Sequence, residues 1–265
     1  MKLRHSILVG LLLLAPSAAA QETAVADYFA AFDRARATLR QAGDSARPQT
    51  QALHDRLTGE LEAIMRRIVG PLAAPKGFTG SGRWNPELWP GIGSDRLDGI
   101  SFWNGQLGQS WAYLVVTTDE VLREWIARQI AGEPELQDDL DGGFQSGKLS
   151  AQIVTFDGWM SDFAFLPIDR PSTVDAVTAF VGTGGNGELA WPPTLLSIYV
   201  RKGHRIYLAD IALTTKFSAI AACDALRTAD LAAYNECWEE RGKGDPAFAA
   251  AIKQAQGFID GVAGP

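Results

Sequence analysis

Four of the eight tryptophans fall between Arg83 and Trp111, in a stretch that also holds Asp95, Arg96 and Asp98. Indole faces beside carboxylates suit stacking against a sugar ring or an apolar ligand. Trp84, Trp89, Asp95, Asp98 and Trp103 are therefore the candidate ligand-binding residues. The competing reading, and the commoner outcome for such rings, is a satellite core beneath a long loop. Pairs such as Asp95/Asp98 or Asp157/Asp162 would also supply the two acids of glycoside hydrolysis, a weak signal because any acidic chain offers such pairs.

Other chemistries find little to work with. Beyond residue 20 the chain has two histidines, His54 and His204, and no HExxH, CxxC or GxSxG run. A zinc site is not expected from that set, nor is a marked serine nucleophile. A triad would have to use one of the two histidines. His54 is expected on the solvent side of a helix and His204 beside a hairpin turn. Asp210 lies six residues along the strand from His204, roughly 20 Å, too far to pair with it. The glycine-rich run Gly182–Gly187 lacks the Gly-Lys-Ser/Thr of a phosphate loop. Gln137–Lys148 places Asp139 and Asp141 like an EF-hand but has Lys148 where the bidentate acid belongs. No metal or cofactor is expected.

The two cysteines, Cys223 and Cys237, lie 14 residues apart. In one straight helix their Cα atoms would stand ~21 Å apart, whereas a disulfide needs roughly 4.4–6.8 Å. A bond therefore requires a break near Thr228–Asp230 and a helical hairpin of Lys216–Arg227 and Asp230–Arg241, with Asp230 as N-cap. Whether the thiols oxidise depends on the compartment, and the N-terminus speaks to that. Lys2, Arg4 and His5 precede the short apolar run Ile7–Leu14, and Ala18-Ala19-Ala20 fits the small-residue cleavage rule. The expectation is a signal peptide over 1–20, cleaved after Ala20, and a periplasmic or secreted protein in which a disulfide persists.

Without Lys2 and Arg4, 22 basic residues stand against 31 acidic ones, a net charge of about −9. An acidic chain with no basic run is a poor partner for nucleic acid or anionic lipid. No stretch reads as a membrane span.

The elements that would carry these residues follow from periodicity. Thr23–Gln41 and Gln49–Val69 show apolar stripes at helical spacing and form a helical hairpin over residues 21–71. Leu72–Gly99 is irregular, and long irregular segments are often functional. Gly99–Trp103 and Gln106–Thr118 flank Asn104-Gly105, a strong hairpin signal. Thr117 and Glu120 suggest a capping box for a helix Asp119–Ala131. After the acidic loop Glu133–Lys148, Ser150–Phe156 and Asp162–Leu166 read as a second hairpin across Asp157-Gly158. Pro171, Ser172 and Asp175 suggest a helix reaching Gly182. Thr194–Val200 and Arg205–Ala212 form a third hairpin turning at Lys202-Gly203. In it Tyr199 would face Ile206, and Ile198, Val200, Tyr207, Ala209 and Ile211 would share an apolar face. Asp245–Asp260 closes the chain as a helix with Pro246 in its first turn. The fold class is α+β: an antiparallel sheet of about six strands in three hairpins, packed against helices, occupying 72–265 with the helical hairpin against it.

The functional expectation is a non-catalytic binding or interaction protein of the cell envelope, with an envelope or extracellular partner or a small ligand. The alternative is a hydrolase of envelope or extracellular polymer using carboxylates near the tryptophan-rich loop.

Overall fold

The computed structural model describes residues 18–43, 47–75, 78, 82–84, 88, 97–106, 110–129, 160–184, 195–213 and 244–264, with Cys223, Leu226, Ala233, Glu236, Cys237, Glu240 and Arg241 between. Among these residues seven strands form one antiparallel sheet: β1 (Arg83–Trp84), β2 (Ile100–Gln106), β3 (Ser110–Thr118), β4 (Met160–Phe165), β5 (Ala176–Gly184), β6 (Leu195–Lys202) and β7 (Arg205–Ala212). Their order is β1-β2-β3-β7-β6-β5-β4. Two meanders, β1 to β3 and β4 to β7, thus meet along the β3–β7 seam. Six of the strands run six to nine residues, and β1 is a two-residue edge.

Register separates the side chains into two faces. Ile100, Phe102, Leu114, Val116, Ile198, Val200, Tyr207 and Ala209 share the first, and all are buried. Helix α2 (Pro48–Val69) packs against β1, β2 and β3, and the last helix, α4 (Pro246–Ala263), packs against β5 and β6. Helix α1 (Ala18–Ala42) lies on α2 and touches α3 (Asp119–Gln129). The second face is also covered: Val115, Phe180, Ser197, Tyr199, Ile206 and Leu208 are buried.

Two basic residues beside one turn fasten the helices to the sheet. Arg205 donates from Nε to Val69 O (2.9 Å) and from Nη2 to Pro71 O (2.7 Å), at the C-terminus of α2. Lys202, its cross-strand partner, donates from Nζ to the carbonyls of Val262, Ala263 and Gly264 at the end of α4. Both cations sit where free carbonyls and the negative end of a helix dipole favour them. Asp245 caps the other end of α4, accepting from Ala247 N.

The sheet differs from the sequence expectation in four places. Asn104-Gly105 is not a turn; both residues lie inside β2, paired with Ala112 and Trp111. Burial overrides the turn dipeptide, because the observed register sets Ile100 opposite Val116 and Phe102 opposite Leu114, all at most 2% exposed. The stretch expected as a helix up to Gly182 contains strand β5. Its Val177, Thr178, Phe180, Val181 and Thr183 favour extended backbone, and Asp175 accepts from Gly203 N (2.7 Å) instead of capping a helix. Strand β4 pairs with β5, while 150–156 lies outside the described residues. The third hairpin turns at Gly203-His204, one residue later than expected, with Gly203 at φ 62°. Tyr199 consequently faces Leu208. The slide spans an even number of residues, so the division into faces stands.

Among the helices, α1 begins at Ala18 and not at Thr23, running through three alanines that favour helix. Thr118, not Thr117, caps α3 through Val121 N (3.4 Å). His54 is not solvent-facing; its side chain is 19% exposed. It lies seven residues from buried Leu61, about 20° around the helix, on the flank of the packed stripe. Cys223 and Cys237 are joined, with Cα atoms 5.9 Å apart, so no single helix runs from 216 to 241. Cys223 sits in a turn closed by Leu226 N to Cys223 O (2.8 Å), and Cys237 is helical.

Candidate functional site

The apolar stripe of α1 brings Tyr28 and Phe32 against the β1 edge. There the Trp84 indole N–H donates to Tyr28 Oη at 2.7 Å, and the Phe32 ring meets Trp84 edge-on at 6.2 Å. The Tyr28 hydroxyl in turn donates to the Asp98 carboxylate. All three residues are buried, at 0% (Tyr28), 5% (Trp84) and 3% (Asp98). Glycine at 99 permits this placement: a Cβ there would lie 2.5 Å from Val115 Cγ1 and 2.7 Å from Val116 O.

Burial pushes the Asp98 carboxyl up to about 7, while the Tyr28 hydrogen bond and the positive charges of Arg128 and Arg36 pull it back. Burial and the neighbouring Asp98 charge hold the Tyr28 phenol well above its ordinary value. Arg128 connects this chain to the surface. Its guanidinium lies 4.4 Å over the Phe29 ring, contacts both oxygens of Asp33 at 3.0 and 3.1 Å, and donates to Glu124 at 3.0 Å. Beside it a groove of about 620 Å³ runs between α1 and α3, lined by Val25, Phe29, Ile126, Glu22, Asp33 and Glu124 among others.

A second constellation lies on the other face. Successive pairings place Trp103, Tyr113, Asp210, Ser197, Phe180 and Phe165 in one row across six strands. At its centre Ser197 Oγ donates to Asp210 Oδ1 at 2.6 Å. Phe180 and Phe165 meet edge-on at 6.2 Å. Tyr113 and Asp210 are half-exposed, whereas Val115, Leu208 and Tyr199 in the next row are buried. Ser197 and Phe180 in the row are buried, and Tyr113 and Asp210 set a half-exposed phenol and carboxylate side by side.

Of the candidate residues, Trp84 and Asp98 come together, but inside the core. Trp89 and Asp95 lie outside the described residues. Trp103 is placed by its backbone pairing with Tyr113, and its side chain is also outside them. Sequence reasoning missed Tyr28 because it read only as one more apolar position on α1. It missed the Ser197–Asp210 pair because the expected register set Ser197 against Leu208. His204 occupies the turn, apart from that pair. Comparison with family models, curated proteins and solved structures finds no match to this chain.

Proposed function

We propose that this is an extracytoplasmic binding protein, exported by the cleaved N-terminal segment, which takes an envelope or extracellular ligand without transforming it. The observation that carries the binding reading is the half-exposed Tyr113–Asp210 pair set in a row of aromatic residues, an arrangement suited to stacking and hydrogen bonding. The Cys223–Cys237 bond supports an oxidising compartment, and no described helix is long and apolar enough to cross a membrane. The hydrolase alternative rests on Asp95/Asp98 or Asp157/Asp162; of these, Asp98 is buried beneath α1, and Asp95 and Asp157 lie outside the described residues.

The test is mass spectrometry of what copurifies with the protein from its native compartment, wild type against a Tyr113→Ala, Asp210→Asn double variant. The expected result is a molecule retained by the wild type and lost from the variant. Empty wild-type protein that instead releases fragments from envelope polymer overturns the reading. N-terminal sequencing of the same preparation is expected to begin at Gln21; a chain beginning at Met1 removes the export argument.

A further inference from the structure

We propose that the Trp84–Tyr28–Asp98 chain is a proton-controlled latch that holds α1 to the edge of the sheet. The geometry has three parts. The chain crosses elements, joining α1 through Tyr28 to β1 through Trp84 and to the segment entering β2 through Asp98. It is sealed from water, since every member is at least 95% buried. And its end is a buried carboxyl group that makes no ion pair among the described residues. The charged groups that face Asp98 are Arg36 and Asp33 from α1 and Arg128 from α3; Trp84 on β1 brings none. Arg128, which also bonds Asp33 and Glu124, and Arg36 favour the charged form, but burial outweighs them.

A neutral carboxyl is stable in such a place, and a charged one favours any state in which water reaches it. The simplest such state moves α1 away from β1, because α1 supplies both Tyr28 and the rings that close the site. With a carboxyl titrating at about 7, the latch is closed on the acid side of neutrality and strained on the alkaline side. Helix α1 also forms one wall of the groove against α3, so the latch sets the width of that groove.

The test follows amide exchange of α1 in the folded, oxidised protein between about pH 5.5 and 8.5, corrected for intrinsic base catalysis. In the wild type, exchange over residues 22–35 is expected to rise about tenfold across neutrality. In Asp98→Asn it is expected to stay flat. Equal pH dependence in both, or none in the wild type, overturns the proposal. Should Asp98→Asn fail to fold, the wild type alone decides, by the NMR titration of the Asp98 side-chain carbonyl and the Trp84 indole N–H. A shared midpoint near 7 supports the latch. A carboxyl titrating in the ordinary range near 4, or an indole signal that ignores it, overturns it.

Discussion

Replacing Asp98 by asparagine keeps the shape of the side chain and removes its titration. The direction of the stability effect follows from proton counting. The folded carboxyl is raised from 3.8 to about 7, so between these values the folded state holds a proton that the unfolded chain has released. Stability from this group is fully present below about pH 4, falls as pH rises, and is lost above about pH 7. At ~1.4 kcal/mol per pH unit the swing is at most about 4 kcal/mol. Denaturant unfolding at several pH values is expected to show this decline in the wild type and its absence in Asp98→Asn. Tyr28→Phe removes the hydroxyl that donates to Asp98 and accepts from Trp84. It should destabilise by about 2–4 kcal/mol, and by more above pH 7, where the carboxylate it leaves behind is charged, than below. Gly99→Ala should be comparably harmful for a steric reason, since its new methyl meets Val115 and the Val116 carbonyl; the thermal midpoint reads that cost. None of this was legible from composition. Asp98 stood out only as an acid among tryptophans, and what matters is the Tyr28 hydroxyl that a distant helix brings to it.

At the scale of elements, the β6–β7 turn is the joint on which two helices hang. Arg205→Ala and Lys202→Ala should each cost about 1–3 kcal/mol. Hydrogen exchange should distinguish them: the last turn of α2 loosens in the first variant and the last turn of α4 in the second. Reducing Cys223–Cys237 is expected to lower the unfolding temperature, since a 14-residue closure is worth about 3 kcal/mol on the chain-entropy account; calorimetry with and without reductant measures it. These elements also show what a sequence reveals. The apolar stripes of α1 and α2 were readable because helical packing repeats every few residues, and α4 was readable from Pro246 in its first turn. The parity of β6 and β7 was readable because a strand alternates. Register was not, because Asn104-Gly105 is a turn only if nothing larger decides, and the burial of Ile100 against Val116 decides. Strand β5 was misread for the same reason: its cap-like Ser172 and Asp175 are local, and its two neighbouring strands are not.

At the scale of the whole molecule, the sheet closes late. Strand β3 pairs with β7 from Ala112↔Ile211 to Thr118↔Arg205, across roughly 90 residues of intervening chain, whereas the β6–β7 hairpin spans two. A nascent chain therefore presents β3 long before its partner exists, with Leu114 and Val116 still uncovered along one edge. Such an edge is a template for pairing with other chains. Truncation at residue 200 should give a chain that aggregates or is degraded as it is made. A peptide of residues 205–212 added during refolding should compete for the same edge and slow completion of the intact chain. The seam that unites the two meanders is thus also the longest exposure in the protein's biogenesis, and the place where a chaperone holding extended chain would act.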